Sequence, residues 1–121
     1  MTKIEVIRKS GSVVKYQATG HSEYGEYGSD IVCAALSTVL QMPLAGFQDV
    51  LDIYPRFEIN SDGFICVDLD GMNLKGKERE VHTLLESMVV VLRGLAKEYP
   101  KNIKLVAVSY THLTLPTKLE V

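Results

Sequence analysis

The sequence is short of cysteine, of concentrated charge and of long apolar runs, and each shortage closes off a class of protein. Two cysteines in 121 residues cannot supply the disulfide framework that small secreted domains rely on, so both are expected as thiols. Lys and Arg number 13 against 15 Asp and Glu, a net charge of −2, and no run of basic residues occurs. The electrostatic footprint of a direct nucleic-acid binder is therefore missing, and no nucleic-acid contact is expected. The longest apolar stretches, Ile31–Leu36 and Met88–Leu92, fall short of the ~20 residues a membrane-spanning helix needs, so no membrane partner is expected either. Lys3 and Glu5 stand where a signal peptide would carry its apolar region, which points to the reducing cytoplasm. Cys66, His82 and His112 are scattered without paired ligand spacing, so no metal or other cofactor is expected.

What is there is enough for one domain. A chain of this length buries roughly two-thirds of its unfolded surface and needs no staple. Residues 3–9 and 13–19 alternate, with Ile4, Val6, Val14, Tyr16 and Ala18 on one parity and Gly11-Ser12 as the turn between them, which predicts an opening β-hairpin. Residues 20–29 hold three glycines without apolar periodicity and predict a loop. Ser29 or Asp30 is placed to cap a helix over Ile31–Met42, which Pro43 must end or kink before a further stretch over Leu44–Leu51. Residues 53–59 and 64–70 flank Asn60-Ser61-Asp62-Gly63 and predict a second hairpin, with Phe57, Ile59, Ile65, Val67 and Leu69 as its apolar face. Val81, Leu84, Leu85, Met88, Leu92 and Leu95 recur at helical spacing between Lys77 and Tyr99, and residues 103–108 form a last strand. The expected fold class is α+β: a two-layer ββαββαβ domain over residues 1–109, with two helices on one face of a mostly antiparallel sheet. Residues 110–121 continue no earlier pattern and are set apart as a tail, whether an extra strand, a disordered end or foreign sequence. Both helices are apolar beyond one stripe, at Ile31–Leu36 and Val89–Val91, and the surplus is assigned to a second copy of the chain or to close helix packing.

The chemistry gathers around the first helix. Cys33, expected three or four positions inside it, would lie near unpaired backbone N–H groups and the positive end of the helix dipole, which favour a thiolate. His21, tied to the same loop, has the side chain suited to protonate a leaving amine near neutral pH. Asp30 serves either as helix cap or as the residue that holds the imidazole in one tautomer. The same residues have blander uses: Cys before Ala-Ala-Leu suits a core position, and His after Gly a solvated loop. Cys66 alternates out of phase with Ile65 and Val67 and reads as structural, and His82 as a surface or interface residue.

The stretches Gly20-His21-Ser22 and Tyr27-Gly28-Ser29-Asp30-Ile31-Val32-Cys33-Ala34-Ala35-Leu36-Ser37 resemble the signature of the ribosomal-processing cysteine protease family, Prp (YsxB-like), and the resemblance extends over roughly residues 3–108. It implies a homodimeric endopeptidase that removes an N-terminal extension from large-subunit ribosomal protein twenty-seven, with Cys33 as nucleophile and His21 as general acid/base. Asp30 matches an acidic position close to that dyad. Ser22, Glu23, Tyr24, Gly25, Glu26, Tyr27 and Gly28 match the flexible loop that orders over the substrate peptide. A non-catalytic ribosome-associated binding module of the same fold is the alternative, and a redox-sensing thiol protein a third.

Overall fold

The computed structural model describes residues 1–20, 27–60, 63–110 and 116–120. The chain opens with β1 (Thr2–Lys9) and β2 (Ser12–Thr19), followed by α1 (Tyr27–Asp49), β3 (Arg56–Ile59), β4 (Ile65–Asp68), α2 (Glu78–Glu98), β5 (Ile103–Tyr110) and β6 (Pro116–Glu120). One sheet runs in the order β3-β4-β2-β1-β5-β6, antiparallel throughout except where β1 pairs parallel to β5. The α+β class with two helices and a mostly antiparallel sheet is what the sequence implies. Within the tail set apart from residue 110 onward, Pro116–Glu120 pairs with β5 as an extra strand.

The first hairpin turns one residue earlier than expected, at Ser10-Gly11, where both residues take positive φ (52° and 84°). That conformation matches the twist of two antiparallel strands. A bulge between Ile7 and Arg8 then changes the parity of β2, since Ile7 pairs with Lys15 but Arg8 with Val13. The core side chains of β2 are consequently Val13, Tyr16 and Ala18, with Val14 left half-buried in place of the expected inward position. The carbonyl of Val14 accepts a hydrogen bond from the Leu69 N–H at 2.8 Å, which ties the bulge to the end of β4.

Helix α1 differs from expectation at two places. It begins at Tyr27, so Ser29 and Asp30 lie inside its first turn instead of capping it, and Tyr27 and Gly28 belong to the helix and not to the loop. Pro43 does not end it: the ring is buried and the helix continues to Asp49. By length and composition Ile31–Asp49 would suffice to cross a membrane, a property hidden from a count of unbroken apolar runs. Here its apolar stripe, Val32, Leu36, Leu40, Leu44 and Phe47, is buried in the core with Ile4, Tyr16 and Val67 from the sheet. Past its end, Lys77 Nζ donates to the Leu51 carbonyl at 2.6 Å and Lys75 Nζ to that of Asp52 at 2.9 Å, cations placed where a helix C-terminus favours them.

Helix α2 buries Val81, Leu85, Met88, Val89 and Leu92 and leaves Val90 and Val91 exposed. It meets α1 at Gly46, where a Cβ would stand 3.0 Å from Leu84 Cδ1, so glycine allows the close approach. Arg8 on β1 grips Glu86 of α2 through two hydrogen bonds, one of 2.9 Å, and this guanidinium holds the Glu86 carboxyl below its ordinary range. Phe57 and Ile59 pair with Val67 and Ile65 as the alternation implies. They are nevertheless exposed, because β3 is an outer strand of the sheet.

Candidate active site

Between α1 and the end of the sheet formed by the β3–β4 turn lies a cleft of about 370 Å³. Its back is built by Thr2, Ala18 and Gly20, one wall by α1, and the other by Ile59, Asn60, Gly63, Phe64 and Ile65. Cys33 lines this cleft from α1 and is half-buried. Counting from Tyr27 it is the seventh residue of the helix, not the third or fourth. The four N–H groups without intrahelical partners therefore belong to residues before it, and the dipole, which fades within the first turn, reaches it more weakly than the sequence suggests.

The cleft face of α1 continues from Cys33 at intervals of four residues, through Ser37 to Gln41. Gln41 Nε2 donates to Ser37 Oγ at 2.8 Å, so a polar ladder runs along one wall. Leu36, Leu40, Ile59, Phe64 and Ile65 make the rest of the lining apolar. Together they suit an extended peptide whose main chain meets polar groups while a side chain enters an apolar recess. Sequence reasoning gave Ser37, Gln41, Ile59 and Phe64 no place in a site. The four-residue spacing from Cys33 identifies the first two; the others depend on where β3 and β4 sit in the sheet.

Gly20 closes the back of the cleft. Its φ is +92°, and a Cβ there would lie 2.5 Å from the Met1 carbonyl oxygen, so no other residue fits without moving backbone. His21 follows it directly in the chain. His21 and the loop residues Ser22, Glu23, Tyr24, Gly25 and Glu26 lie outside the described residues, and of Asp30 the structure gives only its place in the first turn of α1.

Cys66 stands apart, on β4 opposite Gln17 and Glu58. Burial pushes its thiol above the ordinary value, Lys15 opposes this, and Asp68 and Glu58 reinforce it. His82 is exposed on α2, with Nδ1 4.0 Å from Glu86. Among the described residues no three His, Cys, Asp or Glu side chains gather as a metal site.

Comparison with known proteins gives a consistent result. Residues 1–104 match the family described as cysteine protease Prp. A ribosomal processing cysteine protease Prp of Staphylococcus aureus is 31% identical over 101 residues, 82% of this chain and 91% of its own length. The Bacillus subtilis protein of the same name is 26% identical over 98 residues, 76% of this chain and 83% of its own. Among solved structures, a Streptococcus mutans protein superimposes with a TM-score of 0.82 at 28% identity, covering 91% of this chain and 96% of that one. The Staphylococcus aureus protease bound to a covalently linked product peptide gives 0.73 at 27% identity, over 87% and 97%.

Proposed function

The chain belongs to the cysteine protease Prp family, a family of ribosomal processing proteases, and from that premise we propose that Cys33 and His21 form its catalytic dyad. The observation that carries this reading is the placement of Cys33 in the wall of a peptide-sized cleft whose back ends at Gly20, the residue before His21. In the reaction Cys33 Sγ bonds to the scissile carbonyl carbon, the C–N bond breaks, and His21 gives its proton to the departing amine. Water then adds to the thioester with His21 as base, releasing the carboxylate product and the thiol. Because Cys33 lies past the first turn of α1, activation of the sulfur rests more on the imidazole than on the helix dipole. Asp30, in that first turn, acts as a positioning residue for His21.

The substrate we assign is the N-terminal extension of large-subunit ribosomal protein twenty-seven, held along residues 22–28 and the cleft, in the cytoplasm, where thiols stay reduced. Ile31 on α1 and Val90 and Val91 on α2 are exposed and supply the apolar surface for a homodimer. The test is incubation of the purified chain with a synthetic precursor peptide, read by mass spectrometry. A single cut at the extension boundary, abolished in a folded His21→Ala variant, is expected. Undiminished cleavage by His21→Ala removes the dyad, and no cleavage by the native chain favours a binding module. Sedimentation at micromolar concentrations should report a dimer; a monomer throughout removes that assignment.

A further inference from the structure

Among the described residues, the cleft that holds Cys33 is lined by no Asp, Glu, Lys, Arg or His. Gln41 is the last residue that α1 contributes to it. Eight residues of helix separate Gln41 from Cys33, about 12 Å along the axis. An extended peptide covers that length in roughly three or four residues, at ~3.3 Å each. Gln41 also marks the outer rim of the cleft, because Ser37 and Gln41 line a shallow groove together with the exposed Thr38, Met42 and Ala45. Its backbone is held on both sides: the carbonyl of Leu40 accepts the Tyr16 hydroxyl, and Pro43 is buried. Its side chain is held by Ser37, to which Nε2 donates at 2.8 Å. A carboxamide has two N–H donors and an acceptor oxygen, so among the described residues one donor and Oε1 remain for a ligand.

We propose that Gln41 is a specificity-determining residue, which takes an uncharged polar side chain of the substrate, a carboxamide or hydroxyl, three or four residues from the scissile bond. The proposal deepens the protease reading and rests on it. Successive side chains of an extended peptide point to opposite sides. Where one enters the apolar recess formed by Leu36, Leu40 and Ile65, the next turns outward to the rim, where Gln41 stands. A substrate carboxamide there meets both the remaining donor and Oε1. An apolar side chain meets neither, and a charged one finds no counter-charge in the described lining. Gln41 is exposed, so the preference is that of a hydrogen bond between neutral groups partly open to water, a matter of severalfold and not of orders of magnitude.

The test is a set of precursor peptides in which the residues roughly two to five positions from the cut, on either side, are replaced in turn by Gln, Leu, Lys or Glu. For the native chain, kcat/KM at one of these positions should be about three- to tenfold higher with Gln than with Leu. Gln41→Leu should abolish that preference at the same position. Gln41→Glu should make Lys better than Glu there by about fivefold. Both replacements are good helix formers, and native circular dichroism with an unchanged rate of Cys33 alkylation shows that the fold is kept. The same peptides, fluorescently labelled, are titrated against Cys33→Ser and against Cys33→Ser combined with each Gln41 variant, where the preference should appear as affinity. A native chain that cleaves nothing while the preference persists in binding removes the protease reading and leaves Gln41 in its role. Equal rates for the four residues at every position overturn the proposal, as does a profile that both Gln41 variants leave unchanged, since Gln41 then meets only main chain or solvent. Absence of both cleavage and binding overturns the two readings together.

Discussion

Cys33 and Cys66 are both half-buried thiols in one small domain, yet their surroundings prepare them for different chemistry. Cys33 sits on a helix beside an open cleft, with a polar ladder on its own face and the β3–β4 turn as the wall opposite. Cys66 sits mid-strand between Gln17 and Glu58, where burial and two carboxylates disfavour the thiolate. A strand places a side chain against its neighbours on the sheet and leaves little room for a second reactant. A helix flanking the sheet edge leaves a gap that a peptide can enter. The contrast lies in position in the layers more than in exposure: of the two, only Cys33 opens on the cleft.

The largest effect that would break this contrast is on turnover. Cys33→Ser should lower precursor cleavage by at least about 10³-fold, the usual loss when a nucleophile is removed. Cys66→Ser should leave it within about twofold. Comparable losses in both, with native circular dichroism, would mean that the two thiols act together.

Much of the molecule on the Cys66 side can be read from the sequence, and less on the Cys33 side. The periods of β1, β4 and α2 are clean, and Val81, Leu85, Met88 and Leu92 are buried as their spacing implies. The β2 parity fails because Val13 and Val14 are alike, and a single bulged residue decides which points inward. The start of α1 is missed because Tyr27-Gly28-Ser29 has poor helix propensity, while the turn they form is carried by a long apolar helix behind it. Phe57 and Ile59 alternate correctly, but alternation does not say that β3 lies at the edge. The cleft is built from α1, the chain start and the β3–β4 turn, segments that only the sheet order brings together.

Gly20→Ala would sharpen the contrast from the back of the cleft. The positive φ and the Met1 carbonyl 2.5 Å from a Cβ should destabilise the fold by about 2 kcal/mol, a fall in Tm of roughly 8 °C. Cleavage should fall further than stability explains, while alkylation of Cys66 stays unchanged. Equal stability in the variant would show that the chain start is free to move away.

A smaller effect separates the thiols directly. At pH 7 iodoacetamide should modify Cys33 faster than Cys66, because burial and two carboxylates disfavour the Cys66 thiolate and Cys33 opens on the cleft. Lys15→Gln removes the cation that opposes this rise, so it should slow Cys66 further and leave Cys33 alone. Peptide mapping of the two sites over time reads both rates. A faster Cys66 would reverse the assignment.

The smallest effect lies at Tyr16, which joins the two neighbourhoods. Its hydroxyl donates to the Leu40 carbonyl at 2.6 Å, pinning α1 two turns beyond Cys33. Burial first, and then the charge of Cys66, pushes the phenol above its ordinary value. Tyr16→Phe should cost about 1 kcal/mol at neutral pH through loss of that hydrogen bond. The folded chain resists phenol ionisation and the unfolded chain ionises near ~10. The stability that Tyr16 contributes is therefore complete below that pH and is lost as pH rises above it. Urea unfolding at neutral pH and again above ~10 should show the gap between native chain and Tyr16→Phe narrowing at the higher pH. In a Cys66→Ser background burial, the larger cause, still raises the phenol, so the narrowing should persist. A gap that stays constant in both backgrounds would mean that Tyr16 reports neither burial nor the charge of Cys66.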